Sequence, residues 1–366
     1  MKTIETRPRT LEHTFKTRLT HLRQRIVHVR AEKLCTVKLP LAKRFKAWRM
    51  GFTSASYAIY GLDKQKPDDY LRDFSDINYT LNNPGAHSVN NKFTFSNMMT
   101  RATIPTPGII ALINGGSIAY PIRQDAPDRG DLTANVDAWL EHYGKLVFRP
   151  TCGGGGAGVF FMDRSGGRLT VNREPQDLVD VCSYLKRQSS YLVTEFVEQA
   201  NYARRIYPDV TNTVRVLTIW DSITKHPVIT NAAHRFGSSR SFPVDNFHGG
   251  LGGLCSPIDL NSGELGPGLR LSESGSLFHH NKHPETEGQI AGIKIPNWEK
   301  VKQLILEAAK TCAVSPYIGW DIIITEQGCS FIEGNSPPGV MVWQVHNPLL
   351  RDLRLKRFYM EQGMIH

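Results

Sequence analysis

The chain has 366 residues, 40% of them hydrophobic, enough to bury a large core in two or three lobes, and it carries 44 Lys and Arg against 34 Asp and Glu. No run of about eighteen apolar residues occurs, which argues against a membrane-spanning helix, and no secretory-type apolar stretch opens the sequence. The six cysteines, at 35, 152, 182, 255, 312 and 329, are scattered and keep neither CxxC nor zinc-site spacing, so a reduced cytoplasmic setting is expected.

The positive charge sits at the start. Residues 1–50 hold 14 Lys/Arg and 3 Asp/Glu, a net of +11; the whole chain is +10, which leaves −1 for residues 51–366. Leu11, Phe15, Leu19, Leu22, Ile26 and Val29 recur at steps of three and four and predict an amphipathic helix. Its other face carries Lys16, Arg18, Arg23, Arg25 and Arg30. Such a helix lies peripherally on an anionic membrane surface, here the inner face, grips an acidic partner, or packs on the protein body with a solvated basic face. No RNA- or DNA-binding module accompanies the charge, so nucleic acid is not an expected partner. Residues 40–75, with Lys43-Arg-Phe-Lys-Ala-Trp48 and Tyr57, Tyr60 and Tyr70, predict helices and an irregular lead-in, and residues 91–102 a helix stopped by Pro105.

From 103 to 190 strands alternate with helical segments, among them Leu132–Tyr143 and Pro175–Gln188. Within them Lys145-Leu-Val-Phe-Arg-Pro150 runs through Gly153, Gly154, Gly155 and Gly156 into Val159-Phe-Phe-Met162. Glycines let a loop take positive φ and bring backbone N–H groups close to an anion. Strand–loop–strand differs from the P-loop and Rossmann patterns, which run into a helix. The loop reads as a flap over phosphates or as a mobile surface turn. Strands at 191–197, 212–220 and 226–235 are expected to begin a second, larger sheet. The stretch His234-Arg-Phe-Gly-Ser-Ser-Arg240 and Val244-Asp-Asn-Phe-His248 is either an anion or substrate cradle, with Arg235, Arg240, Asn246 and His248 as pocket candidates, or a glycine-rich crossover. A helix is predicted over 297–312, and then a hairpin of Gly319-Trp-Asp-Ile-Ile-Ile-Thr325 and Cys329-Ser-Phe-Ile-Glu-Gly-Asn335. Residues two apart share a strand face, so Glu333 and Asn335 point the same way and pairing brings Asp321 beside them. These hard oxygen donors suit Mg²⁺, which leaves its other positions to water and phosphate. Their rival reading is a solvated hairpin face. His346 either faces the substrate or is a satisfied structural histidine.

In this order the motifs resemble an ATP-grasp enzyme of the sugar-transfer-associated branch. Asn91-Lys92-Phe93 and Ile104-Pro-Thr-Pro107 resemble the entry to the nucleotide lobe, and Val147-Phe-Arg-Pro with its glycine run resembles the family's loop. Tyr191-Leu-Val-Thr-Glu-Phe-Val-Glu198 resembles the adenine and ribose hinge, Asn212-Thr-Val-Arg-Val216 the arginine strand, and Gly319-Trp-Asp321 with Glu333-Gly-Asn335 the metal hairpin. The resemblance implies an α+β fold with a nucleotide held between two antiparallel-rich sheets, behind a basic helical N-terminal segment. It implies that Lys92 and Arg149 neutralise α- and β-phosphate; the family generally has lysine where Arg149 stands. Glu195, Phe196 and Val197 would meet adenine, and Glu198 the ribose. Arg215 would face the γ-phosphate or a substrate carboxylate, and with Asn335 forms the expected catalytic pair. Asp321, Glu333 and Asn335 would hold one or two Mg²⁺, or Mn²⁺.

The implied activity is ATP-dependent carboxylate–amine ligation through an acyl phosphate, with a small-molecule or peptide carboxylate and an amine as substrates, in polysaccharide or secondary-metabolite biosynthesis. A kinase acting on a hydroxyl and a non-catalytic nucleotide-binding adaptor share the same residues. The expected organisation is a basic segment at 1–50, a lead-in lobe at 51–102, a smaller lobe at 103–190 and a larger lobe at 191–366.

Overall fold

The computed structural model of the protein describes residues 29, 32, 37, 39–73, 75, 83, 85–120, 123–165, 167–247, 250, 252–272 and 276–365. Of the helix predicted from Leu11 to Val29, all but Val29 lies outside the described residues, as does His248.

The described chain runs through α1 (Leu41–Arg49), α2 (Ser54–Ile59), α3 (Ala86–Asn90), α4 (Lys92–Arg101), β1 (Ile109–Asn114), β2 (Ser117–Tyr120), α5 (Leu132–Tyr143) and β3 (Lys145–Pro150). Next come β4 (Phe160–Ser165), β5 (Arg168–Val171), β6 (Glu174–Pro175), α6 (Leu178–Lys186), β7 (Tyr191–Glu195), α7 (Asn201–Ile206), β8 (Val214–Trp220) and β9 (Pro227–Phe236). It closes with β10 (Leu254–Pro257), β11 (Gly268–Leu271), β12 (Leu277–His280), α8 (Trp298–Thr311), β13 (Tyr317–Thr325), β14 (Gly328–Asn335), α9 (Met341–Gln344) and α10 (Leu353–Glu361). Helix starts follow the expected chemistry: the Asn91 side chain accepts from Thr94 N at α4, Asp131 from Thr133 N and Ala134 N at α5, and Asp177 from Val179 N at α6.

Two seven-stranded sheets form, ordered β2-β1-β7-β3-β4-β5-β6 and β12-β11-β10-β9-β8-β13-β14. Every pairing is antiparallel. One expectation is corrected here. Tyr191–Glu195 does not open the second sheet; it lies inside the first, between β1 and β3. Its register, Val193 opposite both Ala111 and Phe148, shows why, since only long-range partners decide which sheet an apolar strand joins. The residues expected to form a lead-in lobe pack on the second sheet. Val89, Phe95 and Met99 join one of its cores, and Phe52, Tyr57 and Tyr60 the other.

Alternation along the strands creates the site. In the first sheet Leu146, Phe148, Phe160 and Met162 pack under α5 and α6 with Trp139 and Leu185. Val147, Arg149 and Phe161, one residue out of step, face a cavity between the sheets. In the second sheet Val214 and Val216 enter the core that holds Ile305 of α8 and Phe95 of α4. On the opposite face Leu217 and Ile219 are apolar, while Arg215, nearer the strand start, meets the cavity. One end of that face is therefore core and the other end is polar site.

Candidate active site

A cavity of about 360 Å³ separates the two sheets. Its lining includes Lys92, Arg149, the four glycines Gly153 to Gly156, Glu195, Phe196, Val197, Arg215, Arg235, Asn246, Asp321, Glu333 and Asn335. Fragments more than 200 residues apart in sequence thus converge, and most of the sequence-derived candidates are among them.

Lys92 opens α4 and is buried, yet its side chain reaches across the cleft. Its Nζ donates to Gly153 O at 2.9 Å and lies 3.0 Å from Glu333 Oε2, so one ammonium ties the flap root to the hairpin. Its backbone N–H donates to Thr151 O at 2.9 Å. Arg149 sits deeper, only 4% exposed. Its Nη1 donates to Ile332 O at 3.1 Å, whereas Nε and Nη2 are buried with no hydrogen-bond partner among the described residues. Burial pushes its guanidinium down to about 10, against the pull of Glu333. A buried cation with two idle donors is costly on its own, and an incoming polyanion relieves that cost.

The acidic side is built by register. In the hairpin Asp321 lies opposite Glu333, and across β8 Asp321 lies opposite Arg215, so three charged side chains stand in a row on one face. Arg215 grips Asp321 bidentately, Nε to Oδ1 and Nη2 to Oδ2, both at 2.7 Å. Arg235 from β9 approaches the same carboxylate, its Nη2 3.2 Å from Oδ2. Burial raises the Asp321 carboxyl, but the two guanidiniums outweigh it and hold the group at about 2. Asn335 Nδ2 donates to Glu333 Oε1 at 3.3 Å. Among the described residues no three His, Cys, Asp or Glu side chains form a metal cluster; the oxygen set here is two carboxylates and a carboxamide.

Sequence reasoning passed over Asp245. This buried acid accepts from the backbone N–H of Thr213 at 2.7 Å and from the Thr213 hydroxyl. Thr213 Oγ1 in turn accepts from Arg235 Nε at 3.1 Å, and Arg235 Nη2 lies 3.6 Å from Asp245 Oδ1. Burial raises the Asp245 carboxyl, and Arg235 opposes that rise. Arg235 is thereby shared between two acids, Asp321 on the β13–β14 hairpin and Asp245 at the cavity wall. The available signal was the Val244-Asp-Asn246 run, but its partner is 32 residues away in sequence.

Several candidates stand apart. Glu198 is exposed, 3.7 Å from Lys145 Nζ and 3.6 Å from Arg204 Nη2, and is not in the cavity lining, because the chain leaves the sheet after Glu195. The backbone N–H of Glu195 already donates to Gly108 O at 3.0 Å, and its carboxylate pairs with Arg123, which leaves Phe196 and Val197 as the hinge backbone bordering the cavity. Arg240 falls in an exposed turn outside the lining. His346 is on a different cavity wall, beside Cys255 Sγ at 3.4 Å, and is half-buried.

The flap reaches the far wall. Gly155 and Gly156 adopt positive φ of 69° and 73°, and a Cβ built on Gly156 would stand 2.7 Å from Val244 Cγ2. The flap root is steadied where Tyr191 donates its hydroxyl to Gly158 O at 3.0 Å. Beyond the hairpin, Ser336 N donates to Asn90 Oδ1 at 2.8 Å and Ser336 Oγ to Tyr317 O at 2.7 Å, which fixes the turn after Asn335. Asn212, read as part of the arginine strand, is structural: its amide nitrogen donates to Gln199 Oε1, Ala203 O and Tyr207 O.

With this arrangement of cleft, flap and hairpin, the sequence matches the profile of sugar-transfer-associated ATP-grasp proteins over residues 76–357. The chain belongs to that family. Its fold is the ATP-grasp fold, with two antiparallel sheets enclosing the cleft. Solved structures similar to this ATP-grasp chain include D-alanyl-alanine synthetase A from Vibrio cholerae O1 biovar eltor, at 11% identity and a TM-score of 0.43, covering 76% of this chain and 65% of that one. D-alanine–D-alanine ligase from Bacillus anthracis is similar at 11% identity and a TM-score of 0.41, covering 78% and 77%. An ADP complex of N5-carboxyaminoimidazole ribonucleotide synthetase is similar at 12% identity and a TM-score of 0.37; the match covers 72% of this chain but 47% of that one. No curated protein matches the sequence. The family match carries the assignment. Among the described residues no helix is long and apolar enough to cross a membrane.

Proposed function

We propose that this ATP-grasp protein is an ATP-dependent ligase that activates a carboxylate as an acyl phosphate and joins it to an amine, releasing ADP and phosphate. The observation that carries the reading is Arg149, a buried guanidinium with two idle donors beside Lys92 and under a glycine flap. That is a polyphosphate cradle facing an acidic hairpin.

A carboxylate is a poor acyl donor because oxide is not a workable leaving group. Attack of a carboxylate oxygen on the γ-phosphorus forms a new P–O bond, breaks the bond to ADP and yields an acyl phosphate. Attack of a neutral amine on the acyl carbon then forms the C–N bond and expels phosphate, the extra proton passing to solvent. Lys92 and Arg149 orient and neutralise the phosphates, while the open edges of Arg215 and Arg235 suit the donor carboxylate. Phe161 and Phe196, packed edge to face at 6.1 Å, form an apolar wall for a base, and the flap excludes water. Asp321, Glu333 and Asn335 would hold one or two Mg²⁺, or Mn²⁺; the donors are hard oxygens, and Mg²⁺ needs only one or two carboxylates besides water and phosphate. When bound, the ion screens phosphate charge and acts as a Lewis acid.

The test is ADP release with Mg²⁺-ATP over a panel of amino acids, peptides and sugar acids, with hydroxylamine as surrogate amine. Carboxylate-dependent hydroxamate formed together with ADP is the expected result. ADP with a phosphorylated alcohol and no hydroxamate would make the protein a kinase instead. Nucleotide binding without turnover on any substrate would favour an adaptor.

A further inference from the structure

Helix α1, Leu-Ala-Lys-Arg-Phe-Lys-Ala-Trp-Arg, has no part in the cleft. Ala47 anchors it in the core that also holds Phe52, Tyr57 and Tyr359. Two large apolar side chains stand in solvent, Leu41 at 79% and Phe45 at 64% exposed, and beside them Trp48 is 42% exposed while its side chain hydrogen-bonds Glu32. They follow one another at steps of four and three, a single stripe along the helix. Arg44 and Arg49 flank the stripe, Lys43 and Lys46 lie on the side turned toward Asp63, and the helix has no acidic residue. The Arg44 guanidinium lies 5.4 Å from the Trp48 ring centroid. Lys43 and Lys46 share one exposed acid, Asp63, at 2.6 and 3.9 Å, and Arg44 lies 3.2 Å from Glu32. The exposed pairs on Asp63 are weak, whereas Glu32 is buried and also accepts from Ser54, which fixes the body side of the helix.

The charge decides what covers this stripe. Residues 1–28 hold seven Lys/Arg against two Asp/Glu, so charge favours an anionic acceptor over that segment. It favours one over a second copy of the chain in the same way. The side chains project from a convex helix and do not line a groove, which suits a planar acceptor. Trp and Phe settle at the boundary of hydrocarbon and headgroups, while Lys and Arg extend to the phosphates.

We propose that α1 docks this protein on an anionic lipid bilayer, with Leu41, Phe45 and Trp48 inserted below the headgroups and Arg44 and Arg49 on the lipid phosphates. This holds whatever reaction the cleft performs.

The test is co-sedimentation of the full chain with phosphatidylcholine vesicles, with and without phosphatidylglycerol. Wild type is expected to sediment with the phosphatidylglycerol vesicles and to stay in solution with phosphatidylcholine alone. L41S/F45S should bind at least about tenfold more weakly, and R49E should also weaken binding, at an unchanged thermal unfolding midpoint. Failure of the wild type to sediment would overturn the proposal. So would wild-type sedimentation of L41S/F45S, which would move attachment off this helix.

Discussion

Arg149 shows how a single side chain can be expensive alone and useful with ligand. Its two idle donors and its depressed pKa both follow from burial without a full set of acceptors. Replacing it by Met removes that cost, so the nucleotide-free protein should melt no earlier than wild type. Loss of charge-assisted bonds to phosphate should weaken nucleotide binding by about 1.5–3 kcal/mol, roughly ten- to 150-fold, by calorimetry. Arg149→Lys should restore much of the affinity, since lysine is what the resembling proteins generally place there. Equal affinity of R149M and wild type would contradict the cradle. At this scale the sequence was informative about residues and poor about partners. Glu333 and Asn335 follow from strand period, and Asp321 from hairpin pairing. Asp245 could not be found that way, because its role depends on Thr213 and Arg235 arriving from other strands.

Among elements, the flap between β3 and β4 offers the sharpest contrast. Gly156 has φ of 73° and no room for a Cβ beside Val244, whereas Gly154 has open space and no such dihedral. Gly156→Ala should therefore strain the closed flap by about 1–2 kcal/mol and weaken nucleotide binding about tenfold. Gly154→Ala should stay near wild type. Titrations of both variants with ATP check this, and equal effects would mean that the tip need not close on Val244. Helices α4, α5 and α8 and the hairpin were legible because period, cap residues and turn punctuation are local. Sheet membership was not: Tyr191–Glu195 reads as any buried strand, and only its pairing with Ala111 and Phe148 places it in the first sheet. Arg240 and Glu198 carry charge in the right sequence neighbourhood, yet a turn and a strand end send them to solvent.

For the whole molecule, two histidines, His234 buried and His346 half-buried, shape the response to acid. Burial holds His234 and His346 down at about 3, far below the ordinary 6.5. Above about 6.5 both are neutral folded or unfolded. As pH falls from there toward 3, the unfolded chain takes up protons that the folded chain refuses, so stability falls. Each histidine contributes a slope of about 1.4 kcal/mol per pH unit. His346→Asn should therefore make the acid limb of an unfolding free-energy profile shallower by that amount, and an unchanged slope would contradict the assignment. His346 belongs to folding, whereas Lys92, Arg149, Arg215 and Asp321 join two separate sheets into one cleft. That division of labour makes the central claim a chemical one. Given a donor from the substrate panel, its carboxylate can be labelled with oxygen-18 and the phosphate released during ligation collected. The account predicts label in the phosphate, carried there through the acyl phosphate; phosphate free of label, formed alongside a labelled product, would contradict it.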